Sequence, residues 1–192
     1  MDGLLTSLSS SDLTKYFPHR QFVERHQVRR QVRNPGTGEM VVSRRWDPLE
    51  DLKPIPSHVE FPTEHELRSL NEIDWVATPF DNYIFASLIA LLTEPINWGS
   101  KINEMHHEIL RFQSHPIVQC ETIFRISKQM AKPLTKMGEF DFQSDEFDKS
   151  LVDYRYFKDI DQYPNLPERI AKKANESLSP DSSLILWCRG DY

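Results

Sequence analysis

The sequence predicts a mostly helical α+β protein. Its parts in order are an N-terminal basic β-hairpin, a proline-rich connector, a core of five or six helices, and a short C-terminal strand. Three observations carry this prediction. From Tyr83 to Leu92 every residue is apolar or aromatic except Ser87, so a helix here has no polar face for water and must be buried all round. Two β-prone runs flank Asn34-Pro35-Gly36-Thr37-Gly38, which is strong turn chemistry. Six glycines against thirteen prolines are too few for the phosphate loops of large nucleotide-binding α/β folds, and the prolines are spread as breaks between short helices.

At 192 residues the chain has the length of one domain, or of one domain with a tail, and buries most of its apolar surface without cross-links. Its 39% hydrophobic and 27% charged residues are those of a globular protein. Two cysteines, Cys120 and Cys188, make no disulfide framework. The start, Met-Asp-Gly-Leu-Leu-Thr-Ser-Leu, has neither the basic flank and apolar run of a secretory signal nor the arginines of a transit peptide. The expectation is an intracellular protein, cytoplasmic or nuclear, with reduced thiols and no membrane span. The longest apolar run falls short of the roughly 18 residues that cross a bilayer.

The net charge of −6 conceals an asymmetry. Lys15, Arg20, Arg25, Arg29, Arg30, Arg33, Arg44 and Arg45 stand against only Glu24 and Glu39, so residues 15–45 carry +6. Residues 1–14 carry −2 and the chain beyond Arg45 carries −10. Such a split predicts a basic surface on an acidic body.

Residues 1–14, small and serine-rich, read as a flexible N-terminal tail. Residues 15–46 form the basic segment, with a hairpin made of Gln27–Arg33 and Glu39–Arg45 round a five-residue loop. Pairing Arg33 with Glu39 puts Val28, Val32, Met40 and Val42 on one face with Arg30 and Arg44. Arg29, Arg33 and Arg45 then share the other face with Gln27, Gln31 and Ser43. A one-residue slip exchanges the faces of one strand. Four prolines make 47–62 a stiff, extended connector. Residues 63–192 hold the helical core and terminal strand, in one globular domain overall.

Within that core, Thr63 with Glu66 three residues on fits a capping box and opens a helix running to about Val76. Asp81 introduces the buried helix and Pro95–Gly99 breaks it. Ser100 caps the next, where Ile102, Met105, Ile109 and Phe112 recur at helical spacing. Pro116 starts another, with Ile117, Cys120, Phe124 and Ile123, Ile126, Met130 at helical spacing, ending at Pro133. Ser144 to Ile160 reads as an acidic helix with a Phe147, Leu151, Tyr154 and Phe157 stripe. Pro167 opens a last helix, Glu168–Leu178. Leu184–Cys188 is a short terminal strand.

The sequence holds no Gly-x-Ser-x-Gly elbow and no glycine–lysine phosphate loop. Glu104 and His107 have the spacing that puts two metal ligands on one helix face, but a di-iron bundle needs two such pairs, and Arg111 stands where a zinc-protease helix needs histidine. His106, His107, His115 and Cys120 make a metal site only if they converge, and the expectation is none. Cys120 and Cys188 read as buried packing thiols. The protein is therefore expected to be no enzyme and to carry no cofactor; a small enzyme with a dispersed His/Glu site is the remote alternative.

Two surfaces are expected to bind partners. Arg29, Arg33 and Arg45, helped by Arg20, Arg25 and Lys15, are expected to grip the phosphates of nucleic acid, RNA above all. Phe140, Phe142, Phe147, Tyr154 and Phe157 are expected to form a partner surface or dimer seam, because exposed aromatic patches mark interfaces. The competing expectations are that the arginines pair with the acidic body, leaving a protein-interaction or matrix-like module, and that the aromatics complete the chain's own core. The motif-poor character of the chain resembles the small regulatory proteins of viruses, a resemblance of general character that rests on no particular residue.

Overall fold

The computed structural model describes residues 3–115 and 121–189. The chain runs β1 (Gly3–Ser9), α1 (Ser10–Tyr16), β2 (Gln21–Phe22), β3 (Arg25–Arg33), β4 (Met40–Pro48), α2 (Glu64–Glu72) and β5 (Val76–Thr78). Then follow α3 (Asn82–Thr93), α4 (Trp98–Arg111), β6 (Ser114–His115), β7 (Glu121–Ile126), α5 (Lys128–Leu134), α6 (Leu166–Ser177) and β8 (Ser182–Arg189). The fold is α+β, with a strand hairpin near the N-terminus and a C-terminal strand, as the sequence predicts.

At its centre lies a four-stranded antiparallel sheet in the order β5-β1-β8-β7. Strand residues alternate between two covered faces. Leu5, Phe124, Ile126, Leu184, Leu186 and Cys188 point into the larger core, shared with α3, α4, α5 and α6. Leu8, Ile123, Ile185 and Trp187 point into a smaller core closed by Phe17 and Ile73, beside residues of α1 and α2. Cover on both faces explains why β8 reads as an unbroken apolar run.

The N-terminal segment corrects the tail expectation. Gly3 to Ser9 is an inner strand, paired with β5 on one side and with β8 along its whole length on the other. Leu5 is fully buried, and Thr6, also buried, donates from Oγ1 to Asp74 O at 3.1 Å. Gly3 is required at its position: a Cβ there would lie 2.4 Å from Phe80 O, so the crossing to the α3 entry admits no side chain.

The helices predicted at either end of the core follow their local signals. Thr63 and Glu66 form a reciprocal capping box at α2, which ends at Glu72 because Val76–Thr78 goes to the sheet. Asp81 caps α3, whose residues 84–91 are all buried; the Ser87 hydroxyl has two acceptors for its one proton, Tyr83 O and Asp153 Oδ2, each at 3.1 Å. Helix α4 starts at Trp98, ahead of the expected cap at Ser100.

Two predicted helices depart from the structure. In the first, residues 116–120, Cys120 among them, lie outside the described residues, 121–126 is strand β7, and only the last part, with Met130, is helical, as α5 capped by Ser127. The apolar residues of β7 serve two covered faces, so they mimic helical spacing. In the second, 144–160 is a chain of turns with short 3₁₀ segments at Val152–Tyr156 and Ile160–Gln162. Side chains there capture the backbone that a helix would use. Asp141 Oδ1 accepts from Gln143 N, Ser144 Oγ from Glu146 N, and Asp148 Oδ1 from Ser150 N.

The aromatic residues of this segment, apart from the exposed Tyr156, point inward. Phe142, Phe147, Tyr154 and Phe157 are all buried, and Phe140 packs against them half-buried. Phe157 meets Phe80 and Trp98 edge to face, and Tyr154 Oη donates to Phe142 O at 2.7 Å. The expected partner surface at Phe140, Phe142, Phe147, Tyr154 and Phe157 is therefore replaced by core packing. No helix among the described residues is long and apolar enough to cross a membrane.

Candidate functional site

Strands β3 and β4 make a ribbon that joins neither of the other sheets. Its outer part is exposed on both faces: every residue from Arg29 to Arg33 and from Met40 to Val42 is exposed, as are Arg44 and Arg45. The turn sets its register. Asn34 Oδ1 accepts from Gly36 N at 2.9 Å, Gly38 N donates to Asn34 O at 2.8 Å, and Asn34 N donates to Glu39 O at 2.8 Å. Gly38 takes the left-handed conformation, φ 75°, that closes this loop and favours glycine.

That closure pairs Asn34 with Glu39 and hence Arg33 with Met40, one residue away from the predicted register. The slip turns β4 over. Arg29, Arg33 and Arg44 now share one face with Gln27, Gln31, Met40, Val42 and Trp46. Arg30 and Arg45 share the other with Val28, Val32, Val41 and Asp47. Arg45 thus leaves the predicted phosphate-gripping face and Arg44 enters it. Sequence reasoning misses Arg44 because the extra loop residue is a property of Gly38's backbone and not of strand periodicity.

The two faces differ in charge balance. On one, Asp47 holds Arg45, with Nε–Oδ1 at 2.6 Å, and approaches Arg30 at 3.7 Å. On the other, Arg29 and Arg44 stand directly opposite each other, and neither has an acidic partner among the described residues. Arg33 extends this face and is steadied by its Nε–H donating to Gly38 O at 2.9 Å.

The ribbon's base is fixed to the body on this same face. Trp46 meets the ring of His107, on α4, edge to face at 6.0 Å. Arg111 of α4 pairs with Glu24 and with Glu108, the latter at 3.0 Å.

The remaining predicted arginines are structural. Arg20 is buried, its side chain wholly so, where Nε donates to Glu66 Oε1 at 2.7 Å and Nη1 to Ser114 Oγ at 3.3 Å. Arg25, 5% exposed, has no hydrogen-bond partner for Nε among the described residues, and burial lowers its pKa against the pull of Asp47. Neither can reach a phosphate in solution. Lys15 is exposed on α1 and its Nζ bonds Tyr16 Oη at 3.1 Å.

The histidines do not gather. His106 and His107 neighbour each other on α4, His115 pairs with Gln21 in a separate two-stranded sheet, and Cys120 lies outside the described residues. Among the described residues no three His, Cys, Asp or Glu side chains form a metal cluster. Cys188 is buried in β8.

Burial first, and then His107, hold the His106 imidazole below its ordinary 6.5 against the opposing pull of Asp81. Asn82 Nδ2 donates to His106 Nε2 at 3.2 Å, a bond only the unprotonated nitrogen can accept. His115 is lowered too, by burial and then by Arg25. At both sites the folded state disfavours the charged ring, so the unfolded chain binds protons first as pH falls. This contribution to stability is therefore whole above pH 6.5 and declines below it. The urea midpoint is expected to drop between about pH 7 and 5.5, and a His106→Gln, His115→Gln double variant to drop less. Equal slopes in the two proteins would refute the assignment.

Comparison with known families, curated proteins and solved structures finds no match for this chain.

Proposed function

We propose that this chain is a non-enzymatic accessory protein that binds nucleic acid, RNA in particular, through the ribbon face carrying Arg29, Arg33 and Arg44. One observation carries the reading: Arg29 and Arg44 face each other across the ribbon, exposed, with no acidic partner among the described residues. Like charges directly opposite each other on a sheet destabilise it, by a few tenths of a kcal/mol to about 1 kcal/mol. A bound anion removes that cost at both residues. The arginine fork matches phosphate oxygens in pairs, and three such groups on one ribbon follow a phosphate backbone better than a single ion. The acidic body opposes this attraction at long range, so binding belongs to the ribbon and weakens quickly with salt.

The test is fluorescence anisotropy of a labelled RNA over a salt series. Affinity is expected to fall steeply with salt. An Arg29→Ala, Arg33→Ala, Arg44→Ala triple variant is expected to flatten the log–log slope by about one unit for each phosphate no longer neutralised. An Arg30→Ala, Arg45→Ala variant, altered on the face that Asp47 neutralises, is expected to change the slope less. No binding at low salt, or an unchanged slope in the triple variant, removes the proposal.

A second reading has its own observation. Val32, Met40, Val41 and Val42 are exposed at the ribbon's outer part, Met40 at 61% and Val42 at 62%. Exposed apolar side chains beside unpaired strand edges suit addition of a strand from a protein partner. That reading predicts salt-insensitive association that is lost on Val42→Lys.

A further inference from the structure

We infer that the nucleic acid is single-stranded, and that its bases stack on a row of aromatic rings continuing the arginine face onto the body. The inference rests on the proposed function and names the substrate class of that same site.

The row begins on the ribbon. Trp46 lies two residues beyond Arg44 on the same strand and the same face, half-buried. From Trp46 the rings pass to His107 at 6.0 Å, to His106 at 6.5 Å, and to Tyr83 at the start of α3 at 5.1 Å. Trp46–His107 and His106–Tyr83 meet at 65° and 76°. Rings that meet edge to face do not blanket each other as stacked rings do. His107 is exposed and Tyr83 is 37% exposed, so the row is open to solvent at His107 and at its far end.

Two physical reasons join this row to the arginines. A strand lying on Arg29 and Arg44 that continues along the same face next meets Trp46. Every base offers a π-face, and stacking on an aromatic side chain contributes roughly 1–3 kcal/mol per base whatever the sequence. In a duplex those faces are already covered by neighbouring bases, so a duplex can use the arginines and not the rings. The arrangement therefore selects strand state, with little regard to sequence.

The packing role of Trp46 against His107 does not account for the rest of the row. Tyr83 is 37% exposed at the far end, where its ring meets His106 of α4 and not the ribbon. It serves as the ring that tests the inference without disturbing the ribbon.

The experiment uses the full chain with a labelled 12-nucleotide RNA, single-stranded and annealed to its complement. The single strand is expected to bind at least about tenfold tighter than the duplex. His107→Ala and Tyr83→Leu are expected to cost about 5- to 140-fold in single-strand affinity each, the range for one base that no longer stacks, with the salt slope unchanged. The tryptophan fluorescence of the wild type should be quenched by the single strand, and the quenching should vanish in Trp46→Phe, which keeps a ring for packing. Suppose instead that both RNA forms bind alike, the ring variants bind as wild type does, and only the arginine variants change the slope. The stacking row is then overturned and the arginine reading stands. Binding by neither form at low salt overturns both.

Discussion

Removing residues 1–9 is expected to abolish the fold. These residues look dispensable from their composition, but they supply β1, the strand between β5 and β8. Their loss breaks the ladder on both sides and leaves two strands with unpaired inner edges. It also empties the sites of Leu5, fully buried, and Leu8, 6% exposed. Each buried leucine alone accounts for about 2–5 kcal/mol when truncated. With the ladder gone as well, the total reaches the whole stability of a typical domain, about 5–15 kcal/mol. The truncated chain is expected to show no cooperative urea transition and no dispersed amide spectrum. A truncated protein that unfolds cooperatively within about 1 kcal/mol of the full chain would show that β1 contributes little.

Glu66→Ala is expected to be the most damaging single polar substitution. Glu66 is completely buried and does two jobs at once. Its carboxylate accepts from Arg20 Nε at 2.7 Å and from Arg20 Nη2 at 3.2 Å, and Oε2 also accepts from Thr63 N at 3.0 Å, completing the capping box. Truncation removes the carboxylate that pairs with the buried Arg20 guanidinium, and breaking a buried pair from one side costs about 3–5 kcal/mol. Loss of one arm of the cap adds up to about 1 kcal/mol. Arg20 also lies over the ring of Phe61, at 5.2 Å, so the site is apolar on one side. An Arg20→Met, Glu66→Leu double variant is therefore expected to regain most of the loss, since well-packed apolar replacements of buried ion pairs are often neutral. If Glu66→Ala shifts the urea midpoint no more than a surface substitution does, the pair is not holding α2 to the segment before the ribbon.

The expected functional effects are smaller than these, because the ribbon stands outside both cores. Its arginines can be changed without opening the sheet. This separates a binding variant from a folding variant and makes the salt-slope experiment readable.

Several features of this protein were written in the sequence. The α+β class, the capping box at Thr63 and Glu66, the buried helix α3, the Pro167 start of α6, the terminal strand β8 and a hairpin with a basic face all follow from signals within a few residues. Each depends on interactions between near neighbours, so short-range chemistry decides it. Tertiary structure decided the rest. The N-terminal leucines became an inner strand because β5 and β8 were there to receive them. Apolar residues around Ile123 and Phe124 became a strand and not a helix because two layers cover the sheet, which erases polar alternation. Phe140, Phe142, Phe147, Tyr154 and Phe157 turned inward because local carboxylate and hydroxyl caps broke the helix that would have displayed them. At the candidate site, a left-handed Gly38 added one residue to the loop, exchanged Arg45 for Arg44 on the open face and carried Trp46 with it. Arg20 and Arg25 were withdrawn because partners and neighbours far along the chain enclosed them. A charge pattern shows how many arginines a segment has; only the register and the surrounding packing decide which of them meet solvent.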